Sequence, residues 1–274
     1  MSAIDVPDGR IEATFARLEA EGRTGLIAFL TVGYPTVEAT LRLVPALVEG
    51  GASIIELGIP FSDPLADGAT IQRASFHALR QGVTTAVCLD VVARLRQQGL
   101  EAPLVLMGYY NPLLAYGIEP FARDAAAAGA DGLIVVDLPP EESEPLREAC
   151  CAHGLRLIYL LAPTSNEERI RKVARVASGF VYCVSLTGTT GARRELSPGL
   201  EAFIERVRHH TPLPIAVGFG ISKLKHFRAI GRVVEAVVIG SAIIDEIDRA
   251  DPSQQVVKVK EYAEVVTGRR RAAM

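Results

Sequence analysis

Little in this chain points toward metal, membrane or nucleic acid. Its 274 residues hold four cysteines, Cys88, Cys150, Cys151 and Cys183, and five histidines. The cysteines show no paired metal-ligand spacing and adjacent Cys150 and Cys151 make an awkward disulfide, so the pattern fits a reducing compartment. The histidines form no ligand cluster, and no metal site is expected. A net charge of −3 and an isoelectric point near 6.0 give no electrostatic footprint for nucleic acid, since only the tail Arg269-Arg270-Arg271 is basic. No apolar run reaches membrane-spanning length, because Gly, Pro or charge cuts each one, and the N-terminus lacks a basic region followed by an apolar stretch. A soluble, cytoplasmic protein is expected. A Walker-type Gly-Lys-Ser/Thr loop is also missing, which favours a phosphorylated metabolite over a nucleoside triphosphate as any phosphate ligand.

What is present is a regular alternation. With 49% hydrophobic and 22% charged residues the chain has the composition of a well-buried globular core. Aliphatic runs at 24–32, 53–57, 103–107, 132–136, 155–161, 180–184, 213–217 and 235–239 read as strands, and capped, helix-periodic segments follow them. Near-continuous apolar strands each followed by a helix, with no linker or break in composition, predict a parallel (β/α)8 barrel, taken as one domain over 1–274. A doubly wound open sheet is the alternative and would usually have fewer strands. An extra helix over 8–21 is placed to cover the barrel's bottom, and Val256–Val266 to close the fold. The loops after the second and sixth strands, 60–68 and 185–198, exceed the usual length and are expected to be mobile lids.

The most informative segment runs Glu56-Leu57-Gly58-Ile59-Pro60-Phe61-Ser62-Asp63-Pro64-Leu65-Ala66-Asp67-Gly68. It puts one acid, Glu56, at the end of a buried strand and a second, Asp67, on the loop beyond, an arrangement suited to proton transfer under a closing lid. A barrel mouth lined by Phe29, Ile71, Tyr109 and Tyr182 desolvates Glu56 and raises its pKa. The plainer alternatives are a salt-bridged barrel glutamate and an Asp-Gly turn former. Tyr182 reads either as a hydrogen-bond donor to Glu56 or as packing. The glycines of the loops after strands 6, 7 and 8, Thr190-Gly191, Gly218-Phe219-Gly220-Ile221-Ser222 and Gly240-Ser241-Ala242, either make tight βα turns or converge as a phosphate site of backbone N–H groups.

These residues resemble the α subunit family of tryptophan synthase. The resemblance rests on the segment from Glu56 to Gly68 and extends over nearly the whole chain, through Phe29–Pro35, Leu106–Pro112, Val136–Glu142, Leu161–Thr164 and Val217–Ser222. It implies retro-aldol cleavage of indole-3-glycerol phosphate to indole and glyceraldehyde 3-phosphate. Carried over, Glu56 protonates the indole carbon and takes the glycerol hydroxyl proton, and Asp67 bonds the indole N–H. Phe29, Ile71 and Tyr182 wall the indole, Thr190 serves the lid, and Gly191, Gly220, Gly240 and Ser241 hold the phosphate. No cofactor is implied for this chain, pyridoxal phosphate belonging to a partner β subunit in an α2β2 assembly. Two departures stand out: Thr189 where the family has an apolar residue, and Gly108 where it has threonine. A regulatory subunit and a sugar-phosphate isomerase are the competing readings. Retention of both acids opposes the first, and strand ends without Lys or His oppose the second.

Overall fold

The computed structural model describes residues 9–184, 198–218 and 224–270. Eight parallel strands close on themselves in sequence order: β1 (Gly25–Thr31), β2 (Ala52–Gly58), β3 (Leu104–Gly108), β4 (Gly132–Val135), β5 (Arg156–Leu161), β6 (Val181–Val184), β7 (Ile215–Gly218) and β8 (Ala236–Ile239), with β8 pairing back to β1. The predicted strands match within one or two residues. Burial on both faces explains the unbroken aliphatic runs, because helices cover the outside and side chains fill the inside.

The helices obey local signals. In α2 (Val37–Gly50) the Thr36 hydroxyl accepts from the Ala39 N–H at 3.0 Å, and the helix ends at Gly51 with φ of +116°. The predicted extra helix after the second strand is present: α3 (Ala69–Arg80) is followed by α4 (Thr85–Gln97). Around the rest of the barrel run α5 (Tyr110–Tyr116), α6 (Ile118–Ala128), α7 (Glu144–Ala152), α8 (Glu167–Val176), α9 (Pro198–Arg208), α10 (Leu224–Ile230), α11 (Ser241–Arg249) and α12 (Gln255–Val266).

Two of these, α5 and α11, depart from the sequence reading, which left Tyr109–Pro112 and Gly240–Ala242 as loop. Proline in the first turn of α5 is tolerated because that N–H has no helical partner anyway, and the Asp137 carboxylate accepts from the Tyr110 N–H at 2.8 Å to start the helix. In α11 the apolar spacing is short enough to be absorbed into the preceding strand pattern.

The core has two layers. Ile27, Ile54, Val105, Ile134, Ile158, Tyr182, Ala216 and Val238 point into the barrel, while their strand neighbours Leu26, Ala28, Ile55, Leu57 and Leu106 face the helices. The N-terminal helix α1 (Arg10–Ala20) joins the inner layer through Ile11, Phe15 and Leu18, with the Phe15 and Phe180 rings 5.7 Å apart. It therefore closes the bottom, as predicted, and leaves the top for function. Phe15→Ala should cost about 3 to 5 kcal/mol in denaturant unfolding by opening a cavity in this plug. Since the plug is at the far end from Glu56, KM for substrate should stay at the parent value, and a changed KM would show the two ends to be coupled.

Candidate active site

Glu56 belongs to the upper inner layer. In register it lies beside Phe29 of β1 and Val105 of β3, and it is completely buried. Among the described residues neither carboxyl oxygen has a hydrogen-bond partner. Removing a carboxylate from water without a compensating partner penalises the charged form, and burial alone pushes Glu56 up to about 8. At neutral pH the group is mostly protonated.

Phe29 and Tyr182 close over it because glycines make room. A Cβ on Gly58 would fall 2.6 Å from Phe29 Cζ, and one on Gly218 would fall 2.1 Å from the Tyr182 hydroxyl. Tyr182 thus leans across β7, and the alternative in which it bonds Glu56 is not realised. Burial pushes the Tyr182 phenol well above its ordinary value, and the neighbouring Glu56 and Asp67 carboxyls add to this, so all three share one field.

Asp67 is half-buried on the loop after β2. Burial raises it to about 6, against a smaller opposing effect from Tyr109, whose hydroxyl donates to Asp67 Oδ2 at 3.1 Å. The same hydroxyl accepts from the Ala66 N–H at 2.9 Å, and the Tyr109 ring lies 5.1 Å from that of Phe61. Gln72 Nε2 donates to the Asp67 carbonyl at 2.9 Å. The expected lid is therefore pinned in the conformation described here. Tyr109 was read as a wall of the mouth; its hydroxyl is the loop's anchor. That role has no signal in spacing, because it depends on the loop folding back on the strand 3 exit.

At the end of β8, Gly240 precedes α11 and Ser241 is its first residue, exposed where the helix presents unpaired N–H groups and the positive end of its dipole. A Cβ on Gly240 would come 3.1 Å from Phe29 Cδ1, so Phe29 also ties this end to Glu56. Ile71 is half-buried in the first turn of α3 and packs against the outer core layer. Thr190, Gly191 and Gly220, with Thr189, lie outside the described residues. Met107, Val136 and Leu160 were missed by sequence reading; they pack on the inner layer, and counting alternate residues along their strands would have found them. A cavity of about 600 Å³ lined by Arg10, Glu12, Asp131 and Arg156 is at the opposite end, beneath α1.

The fold and site together define a (β/α)8 barrel with a buried acid, Glu56, at its mouth and a helix N-terminus, that of α11, at the end of β8. Comparison with known proteins names the family. The sequence profile of the tryptophan synthase alpha chain matches residues 15–272. The tryptophan synthase alpha chain of Roseiflexus castenholzii is 54% identical over 259 residues, covering 94% of this chain and 99% of that one. The crystal structure of tryptophan synthase subunit alpha from Legionella pneumophila superposes with a TM-score of 0.88 at 36% identity, over 96% of this chain and 98% of that one. The chain belongs to the tryptophan synthase alpha chain family. It is a lyase of tryptophan biosynthesis that cleaves indole-3-glycerol phosphate to indole and glyceraldehyde 3-phosphate.

The Glu56 shift fixes a sign for stability. The native carboxyl keeps its proton to about 8, whereas an unfolded one releases it near 4.5. The native state therefore binds more protons between those values, and stability falls as pH rises through that window, by up to about 1.4 kcal/mol per pH unit. Glu56→Gln removes this dependence, so its stability advantage over the parent should grow from pH 5 to pH 8 in urea titrations. A gap that stays constant with pH would mean that Glu56 ionises freely in the native state.

Proposed function

We propose that Glu56 is the proton-transferring group of the cleavage and Asp67 its electrostatic partner, in a chain that works as one barrel domain over 1–274. The observation that carries this is the fully buried Glu56 carboxyl, which has no hydrogen-bond partner among the described residues and which burial raises to about 8. Cleavage needs a proton delivered to the indole carbon that holds the glycerol chain and another removed from the adjacent glycerol hydroxyl. As the carbon–carbon bond breaks, its electron pair returns to the ring and the alkoxide becomes the aldehyde. One carboxyl can give the first proton and accept the second, ending in its starting state. Asp67, ionised at neutral pH on the strength of its value near 6, bonds the indole N–H and offsets the positive charge that protonation puts on the ring.

Phe29, Ile71 and Tyr182 wall the indole in this reading, with Met107, Val136 and Leu160 beneath it. The phosphate sits on the N–H groups of Gly240 and Ser241 at the start of α11, with Thr190, Gly191 and Gly220 completing the rim by family resemblance. Both proton transfers use carboxyl chemistry, so no cofactor is assigned to this chain; pyridoxal phosphate belongs to the β subunit.

A β partner, in an α2β2 assembly, docks on the rim near Asp63 and Asn111. That rim carries two exposed leucines, Leu65 at 94% and Leu114 at 56%, beside a cleft of about 410 Å³ formed by Pro60, Phe61, Pro112 and Tyr116. The Saccharomyces cerevisiae tryptophan synthase, 45% identical over 256 residues, is matched over only 36% of its length, leaving room for a second unit on that polypeptide. No helix of the described residues is long and apolar enough to cross a membrane, and a cytoplasmic location is proposed.

Steady-state cleavage of indole-3-glycerol phosphate, with and without a cognate β subunit, tests the assignment. Glu56→Gln should lose about 100-fold or more in kcat, because the amide is nearly isosteric but relays no proton. Asp67→Asn should also be strongly impaired, and β subunit should raise the parent rate by about 10-fold, which takes roughly 1.4 kcal/mol of differential binding. Turnover of Glu56→Gln within a few-fold of the parent would move the proton transfer to another group.

A further inference from the structure

The turn after β1 carries a contact network that the reaction above does not use. Tyr34, buried in that turn, donates its hydroxyl hydrogen to Asp248 Oδ1 on α11, while the same oxygen accepts from Arg73 Nη1 of α3 at 2.9 Å. Arg73 Nη2 donates to Asp248 Oδ2 at 2.5 Å, closing a three-residue ring. The Tyr34 phenyl is held by the edge of His77 at 5.2 Å and by the Arg73 guanidinium 6.0 Å from its centre. The turn itself is pinned to α3, since Gln81 Nε2 donates to the carbonyls of Gly33 and Pro35 at 3.1 and 2.8 Å.

What the ring joins is informative. Because β1 lies between β2 and β8 in the closed barrel, one hydroxyl reaches both flanking units. One of them delivers Asp67 just before α3, and the other delivers Gly240 and Ser241 at the start of α11. The turn that holds Tyr34 begins where the strand bearing Phe29 ends, and the Tyr34 N–H donates to the Thr31 carbonyl at 3.1 Å. The placement of Asp248 is not explained by its own helix: an anion in the last turn of α11 opposes the helix dipole, and it is Arg73 of another unit that offsets it. Arg73 and Asp248 are 51% and 26% exposed, so their pairing adds little to global stability. Its consequence is geometric.

We propose that Tyr34, Arg73 and Asp248 are positioning residues for the cleavage: a tether that fixes the phosphate-end helix α11 against the Asp67-bearing unit, across the turn that follows Phe29. The proposal rests on the assignment of phosphate to the start of α11 and of the indole N–H to Asp67. A substrate held at both ends is cleaved fast only if the distance between the two holding groups is right, and displacement of about 1 Å is enough to lower the rate of such a reaction steeply.

The test uses the full chain with Tyr34→Phe, Arg73→Gln and Asp248→Asn, singly and combined, together with Ser241→Asp as a control on the phosphate site. Each is measured for kcat and KM with indole-3-glycerol phosphate, for thermal midpoint, and for protection by glycerol phosphate. Each tether variant should lower kcat/KM by about 10-fold, chiefly through kcat, while the thermal midpoint moves by less than about 4 °C. The combined variant should be no worse than the most impaired single one, because the three act as one unit. Arg73→Lys, which keeps the charge but not the fork, should fall between Arg73→Gln and the parent.

Kinetics within about twofold of the parent, or losses that add and follow the thermal midpoint, would overturn the tether. Tyr34→Phe removes only a hydroxyl and keeps the test open should the charge variants fail to fold. If Ser241→Asp leaves glycerol phosphate protection intact, the phosphate assignment fails, and kcat/KM of the three tether variants still decides whether they position anything.

Discussion

The mouth of this barrel is organised by the removal of the Glu56 carboxyl from water with no hydrogen-bond partner among the described residues in return. Buried polar groups are nearly always paired, so an orphan of this kind marks a place where the fold tolerates a cost. The cost is kept small by protonation: as a neutral acid Glu56 loses a few hydrogen bonds to water, whereas as an anion it would bear the far larger penalty of an uncompensated charge. Thr31, on the same inward face of β1 two residues beyond Phe29, has a buried hydroxyl without a partner among the described residues as well. Two unsatisfied polar groups within one pair of strands concentrate the strain where the barrel opens.

Barrel closure is what makes such an arrangement stable. The inner layer beneath Glu56 is apolar and continuous from Ile54 and Ile27 down to Phe15 and Leu18 of α1. Above it, side-chain volume is set by glycines: Gly58 and Gly240 admit the Phe29 ring between them, and Gly218 admits Tyr182. Each aromatic occupies space that a side chain at a facing glycine would fill. The chain thus obtains a desolvated carboxyl from packing alone, with no charged neighbour required, and burial is the cause that acts on Glu56.

How far this was legible in the sequence differs from residue to residue. Strands were easy, because a strand buried on both faces writes itself as a run such as Ile54-Ile55 or Val237-Val238-Ile239. The covering helix α1 was legible from its own periodicity, and Glu56 from an acid at the end of such a run. The short helices α5 and α11 were not, since seven to nine residues offer too few turns for periodicity to compete with Pro112 or Gly240. Tyr109 and Tyr182 were legible as aromatic neighbours of the acids, but the direction of each hydroxyl was not. Tyr109 bonds the loop at Ala66 and Asp67, residues 43 and 42 positions away, and Tyr182 avoids Glu56 because a glycine on the next strand leaves space. Contacts of this kind are decided by what lies opposite in the closed barrel, which local spacing does not encode.

The two acids also differ in a way that suits two tasks. A lone carboxyl in water is ionised at neutral pH and is a poor proton donor, and two equivalent carboxyls would titrate together. Here complete burial without partners carries Glu56 to about 8, while half-burial with a tyrosine donor holds Asp67 at about 6. Neutral pH falls between them, so one acid arrives with its proton and the other with its charge. In the proposed mechanism that difference separates donation to carbon from stabilisation of the ring, and it comes from depth in the barrel: Glu56 is fixed on a strand below the rim, and Asp67 is held on a loop above it by a hydroxyl that favours the anion. Exchanging the residue types would not exchange the roles, because each pKa belongs to the position and not to the side chain.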